Sequence, residues 1–381
     1  MKLETFVYTR EAGWSVDAFP DLDSDQSIVI AFGSSKFLDD PEPVNELIQA
    51  YPKARVVGCS TAGEISDTQI NDDSLSVAVI RFEKTRVACS STKVAAAKDS
   101  FAAGAAVAHE LAAPDLVAVF VLSTGTEING SELVRALNEH LPAHVVVTGG
   151  LAGDGDRFER TWVIRNHQLT QGYVSAVGLY GDAVQVGHGS KGGWDVFGPQ
   201  RRVTRSQSNV LYELDGRPAL DLYKEYLGDL VSGLPSSALL FPLALSENQD
   251  DQKTIVRTIL GVDEEAKSLI FAGDIPVGYY AQLMKANFDR LINAASEVGQ
   301  MAGFAGAANP DEPVLSLAIS CVGRRLVLGE RTEEELEATL ETLPPGVKQI
   351  GFYSYGEISP YGNGTCDLHN QTMTLTTLQE I

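Results

Sequence analysis

The chain writes one pattern three times: an apolar strand, a helix, then a second apolar strand that closes on a glycine-rich loop. The first copy runs from IVIAFGSS (28–35) to RVVGCSTAGEIS (55–66). The second runs through LVAVFVLSTGTE (116–127), SELVRALNEHL (131–141) and HVVVTGGLAGDG (144–155). The third runs through VLSLAISCVGRR (314–325), TEEELEATLETL (332–343) and KQIGFYSYGEIS (348–359). Repetition constrains the fold more than composition does, because each unit has the same apolar faces to bury and can bury them against its siblings.

Local signals support this parse. Asp40 reads as a helix N-cap with Pro41 at the first helical position. Thr332 and Glu335 read as a capping box, and Leu336, Leu340 and Leu343 form one apolar stripe. The strands are continuous apolar runs, so they should lie under helices with both faces covered. Each glycine-rich loop then falls at the carboxyl end of a buried strand, the edge where α/β architectures hold ligands.

Between the repeats lie alternating stretches such as 74–82, 88–96, 161–169, 175–189 and 371–378, which read as antiparallel strands. The expected class is mixed α/β (α+β): two related modules of repeated strand–helix–strand units with additional antiparallel strands. A length of 381 residues favours two modules. The Gly- and Pro-rich stretch 192–202 places their boundary, giving 1–200 and 201–381. The polar segment 247–253 reads as an exposed loop.

Charge narrows the partners. Fifty-one acidic against 29 basic residues leave a net charge of −22, which repels phosphate backbones and anionic lipids. The opening residues carry no leader-like apolar run, and the runs 116–122 and 238–245 are too short to span a bilayer. Cys59, Cys89, Cys321 and Cys366 lie far apart with no CxxC or CxxCH, which excludes a standard zinc ribbon and covalent c-type haem attachment; the expected location is cytoplasmic, where a reducing environment keeps them as free thiols.

GCSTAGEI (58–65) and GGLAGDGDRF (149–158) resemble the FIST N-terminal domain. LDGRPALDLYKEYLG (214–228), SCVGRR (320–325), GFYSYGEISP (351–360) and LHNQT (368–372) resemble the FIST C-terminal domain, in the family's order. HGSKGGWDVFGP (188–199) with 203–220 is similar to the nitric-oxide-sensing, NosP-type branch. The resemblance implies an intracellular sensory ligand-binding protein, without enzymatic activity, that regulates a partner histidine kinase or cyclic-di-nucleotide signalling enzyme. The branch likeness implies haem b and nitric oxide. The alternatives are a haem-free sensor of amino acids or another small metabolite, and a Cys59-dependent hydrolase. No kinase, cyclase or receiver motif follows, so the expected partner is a separate protein.

The candidate ligand contacts come from the loops. Ser60 and Thr61 offer hydroxyls, either to a ligand or to the turn itself. Glu64 and Glu357 stand at equivalent places of copies one and three, with Asp154 as the acid of copy two; each serves either a ligand or the loop's own amides. Cys59 either packs under its loop or acts as a nucleophile, and no histidine is near it in sequence. Of Arg324 and Arg325, one suits a carboxylate or propionate and the other an acid of the GEI loops. Gly150, Tyr355 and Asn370 complete the set, and Glu64, Asp154, Arg324 and Glu357 are expected to converge on one cavity. His188 is the candidate axial ligand to haem iron, with Trp194 and Phe197 as its apolar wall and His369 as its rival.

Overall fold

A computed structural model of the chain describes residues 1–234, 236–249, 251, 254–303, 312–361 and 365–381. The three repeats become three sheets of the same design, and the mixed α/β class is as expected. In the first, Ser27–Ser34 runs parallel to Arg55–Thr61 on one side and antiparallel to Ser74–Arg81 on the other, with Lys2–Thr9 beyond. In the second, Leu116–Ser123 lies between Val146–Leu151 and Tyr173–Tyr180, followed by Arg86–Lys93. In the third, Leu315–Cys321 lies between Lys348–Ser354 and Met373–Glu380, followed by Val184–Lys191.

The units are tied together by exchanging hairpins. After its glycine-rich loop, each unit sends the chain into a neighbour's sheet. The hairpin Glu64–Ser66/Gln69–Asn71 extends the third sheet, with Phe352 opposite Glu64. The hairpin Gly356–Pro360/Cys366–His369 extends the second, with Gly150 opposite Glu357. The hairpin Val163–Arg165/Gln168–Thr170 extends the first, with Val163 opposite Cys59. The exchange is cyclic, so no unit has its full sheet alone. The glycines serve this crossing. A Cβ on Gly153 would lie 2.6 Å from the Ala62 nitrogen, because the second loop runs against the first.

Inner faces of all three sheets share one core, in which Phe32 of the first and Phe352 of the third have ring centroids 4.6 Å apart. Each fully buried side chain of this size contributes roughly 1.5–3 kcal/mol. The helices cover the outer faces. Val44 and Leu47 of Glu42–Ala50 are buried, as are Leu133 and Leu137 of Gly130–His140.

Two expected helix starts differ. Pro41 is itself the N-cap of Glu42–Ala50, and Asp40 instead pairs with Arg10 at 2.7 Å. The capping box of Thr332–Leu340 does not form. Thr332 donates to the carbonyls of Arg325 and Gly329, and Glu335 turns inward as the partner of buried Arg324, an interaction stronger than a cap.

Between Val184–Lys191 and Leu315–Cys321 the third unit carries an insertion. From Asp195 to Lys285 the chain builds a fourth, eight-stranded sheet around Leu211, Leu220 and Phe271. The Gly- and Pro-rich segment 192–202 is where the chain enters it. The polar loop 247–253 lies partly outside the described residues.

Candidate functional site

Where the glycine-rich loops meet the helix Val322–Leu328, two cavities adjoin, sharing Asp156, Val322 and Leu326. The smaller, about 300 Å³, is polar and lies against the first loop. Thr61 and Glu64 line it. Thr61 donates to Glu64 Oε1, and Glu64 Oε2 accepts from the Ser74 amide at 3.0 Å and hydroxyl at 2.8 Å. Burial outweighs these bonds and pushes the Glu64 carboxyl up to about 7. Its cations are already matched: Arg325 reaches Asp72 at 2.7 Å and Lys36 reaches Asp73 at 2.5 Å. Arg157 is held by Asp154.

The larger cavity, about 570 Å³, lies between the third unit and the inserted sheet. Its walls are mostly apolar, including Leu239, Ile259 and Val327. Tyr355 forms part of the rim, its ring stacked 4.2 Å from that of Phe158 and its hydroxyl donating to Gly155 O at 3.2 Å. Asn370 also lines the cavity. It is 1% exposed, and neither its Nδ2 nor its Oδ1 has a hydrogen-bond partner among the described residues. The Thr258 hydroxyl, contributed by the inserted sheet, is likewise buried and unpartnered. Such groups are costly unless something pairs with them.

The remaining expected residues lie elsewhere. Cys59 is fully buried in the shared core, and burial holds its thiol well above the usual range. Ser60 closes the crossing, its Oγ accepting from the Trp162 amide at 3.0 Å. Gly150 sits within a sheet, between Leu122 and Glu357. Asp154 accepts from Ser35 and Arg157, and from the Arg160 amide at 3.2 Å, which holds it below the usual carboxylate range despite burial.

Glu357 accepts from the Ser354 hydroxyl at 2.6 Å and from the Thr372 amide at 3.3 Å. Arg324 is fully buried, with Nε 2.7 Å from Glu335 and Nη2 2.9 Å from Leu291 O. The expected convergence of Glu64, Asp154, Arg324 and Glu357 on one cavity therefore does not occur. Only Glu64 faces one, because the other three are consumed by interactions within the fold. Neither arginine pairs with a GEI acid, since Glu335 and Asp72 are their partners.

The apolar wall expected beside His188 does not assemble. His188 is half-buried on Val184–Lys191, opposite Thr376, and burial lowers its basicity. The proposed wall is split. Trp194 donates to Gln371 O at 2.8 Å and lines a separate cavity of about 320 Å³, whereas Phe197 packs in the inserted sheet near Phe241. His369 lines that separate cavity, but its Nε2 is 3.0 Å from Ser359 O. Among the described residues no group of His, Cys, Asp and Glu is arranged to hold a metal ion.

Thr258, Leu239 and Cys321 line the main cavity without having been singled out as ligand contacts by sequence. Aligning copies one and three would have marked Asn370 more sharply. Asp73 and Gln371 both have positive φ, 58° and 56°, and each precedes its unit's returning strand. Asp72 and Asn370 are thus counterparts.

Residues 27–217 match the FIST N domain and residues 219–360 the FIST C domain. An uncharacterised protein of Mycobacterium tuberculosis is 28% identical over 254 residues, covering 64% of this chain and 63% of that protein. An uncharacterised protein of Methanocaldococcus jannaschii is 24% identical over 354 residues, covering 81% of this chain and 65% of that protein. The chain therefore spans less than two thirds of the length of these relatives.

Proposed function

The chain belongs to the FIST family, whose domains are signal-transduction sensors, and from that premise we propose that it senses a small molecule held in the cavity between the third unit and the inserted sheet. The observation that carries this reading is Asn370, a buried amide with no partner among the described residues, lining a 570 Å³ space. Pockets of that size and apolar character are typical of small-ligand sites.

The signal follows from where the walls come from. Leu239, Thr258 and Ala272 belong to the inserted sheet, Val322 and Val327 to the third unit, and Phe158 to the second loop. A ligand touching all three favours one placement of the inserted sheet over others, and shifts the population by its difference in affinity. Polar contacts flank this seam, with Asn129 Nδ2 3.1 Å from Asp274 and Arg257 Nη1 3.0 Å from Leu368 O. The receiver of the signal is a separate histidine kinase or cyclic-di-nucleotide enzyme.

The reading is one of binding without turnover, since Cys59 is sealed in the core. Haem forms no part of it.

Native mass spectrometry against a metabolite extract tests the reading, comparing the chain with Ala272→Trp and Leu326→Trp, which fill the cavity and its mouth. A small-molecule adduct on the unaltered chain that is lost in the filled variants is expected. The same adducts on all three would overturn it.

No helix among the described residues is long and apolar enough to cross a membrane.

A further inference from the structure

Resting on that reading, we infer the chemical class of the ligand: an uncharged molecule with an apolar body and a carboxamide-like edge, one carbonyl beside one N–H. Three observations carry it.

The first is the polar equipment of the cavity. Asn370 presents a carbonyl acceptor and an NH₂ donor side by side, both unpartnered. That fork is complementary to an amide or lactam, whose N–H can meet Oδ1 while its carbonyl meets Nδ2. The Thr258 hydroxyl supplies one further donor or acceptor. A carboxylate would satisfy Nδ2 but set its charge against Oδ1, and an ammonium would do the reverse.

The second is the missing counter-charge. Among the described lining residues there is no Lys, Arg or His, and the one carboxylate, Asp156, is exposed at the rim. Arg257, beside Thr258 in sequence, is turned away and spends its guanidinium on the carbonyls of Val256, Leu368 and Asp274. Burying an unpaired charge here would cost far more than burying an amide.

The third is the contrast with the first unit. There the counterpart of Asn370 is Asp72, which meets Arg325 at 2.8 and 2.7 Å. The third unit has a neutral amide at that place and leaves it open. The rim agrees with an apolar ligand body: Leu326, Phe158 and Leu260 are 49%, 43% and 43% exposed around the mouth.

Calorimetric titration of the full chain with four probes of equal chain length tests the inference: octanamide, octanoate, octylammonium and 1-octanol, at pH 7.5. Octanamide should bind at least tenfold more tightly than either ion, and Asn370→Leu should weaken it about tenfold, the worth of two neutral hydrogen bonds. Asn370→Leu removes an unpartnered polar group, so the ligand-free variant should melt no lower than the unaltered chain. If that variant does not fold, Thr258→Val is read instead, with a loss of about threefold in octanamide affinity. An ion binding as tightly as octanamide overturns the inference, as does an unchanged affinity in the substituted chain. If all four probes bind equally, the ligand class falls while the sensor reading stands. If none binds, both fall.

Discussion

Glu64 and Glu357 occupy matching places in two different units, and each accepts a hydrogen bond from a hydroxyl three residues before it, Thr61 for Glu64 and Ser354 for Glu357. Each also accepts from the backbone amide at the start of its unit's returning strand, Ser74 or Thr372. The pair ties each glycine-rich loop to the strand that follows its hairpin.

This arrangement predicts a stability that falls with rising pH. Burial pushes Glu64 to about 7 and Glu357 to about 8, against an ordinary 4.5. The folded chain then holds protons that the unfolded chain has already released, so their contribution is complete below about pH 4.5 and lost as pH rises through 7 and 8. Denaturant unfolding at pH 5 and pH 8.5 should show lower stability at the higher pH, and Glu64→Gln with Glu357→Gln should flatten the difference. An unchanged slope in the double variant would assign it to other groups.

Arg324 and Glu335 make a fully buried ion pair, with Nη2 to Oε2 at 2.6 Å. Ser320 and Tyr353 also donate to Glu335, at 2.8 and 3.1 Å. Removing one member leaves the other charged and unpaired in the interior. Arg324→Ala should therefore cost about 3–5 kcal/mol in denaturant unfolding. A loss below about 1 kcal/mol, the level of a surface pair, would show that the cluster is not held as described.

The repeat was legible because continuous apolar runs and glycine loops are local signals. The mixed sheets followed from the alternating stretches. The cyclic exchange of hairpins was not legible. Glu64–Ser66 reads the same whether it pairs within its own unit or, as it does, beside Lys348–Ser354. The site was legible in part. Thr61, Glu64, Tyr355 and Asn370 do line cavities. Arg324 and Glu335 were read separately because nothing in a sequence shows a charge turning inward to meet another. Thr258 sits between the short strands Ile255–Arg257 and Ile259–Asp263, and its place is fixed only by how the inserted sheet docks.

The cysteines should separate by accessibility. Cys89 is exposed on Arg86–Lys93, although desolvation raises its thiol to about 11, whereas Cys59 is buried in the shared core and its thiol is held well above the ordinary value. A disulfide reagent should modify Cys89 first in the native chain and reach Cys59 only on unfolding. Peptide mapping of the modified chain reads this directly, and early labelling of Cys59 would contradict its burial.

Glu380 gives the opposite pH slope. Its carboxylate accepts from three successive amides, Glu83 at 2.8 Å, Lys84 at 2.9 Å and Thr85 at 2.7 Å, fastening the third unit's last strand to the link between the first two. These bonds favour the charged form and hold Glu380 down at about 2 despite burial. Its contribution is therefore present above the ordinary value of 4.5 and lost as pH falls towards 2. Glu380→Ala leaves those amides without their acceptor and should cost about 2–4 kcal/mol at neutral pH. Glu380→Gln keeps an acceptor but loses the charge, so it should cost less and should remove this residue's share of the acid destabilisation. Unfolding of both variants at pH 7 and pH 3 checks the argument. If the variants and the unaltered chain lose equal stability between those two values, Glu380 is not the group that titrates.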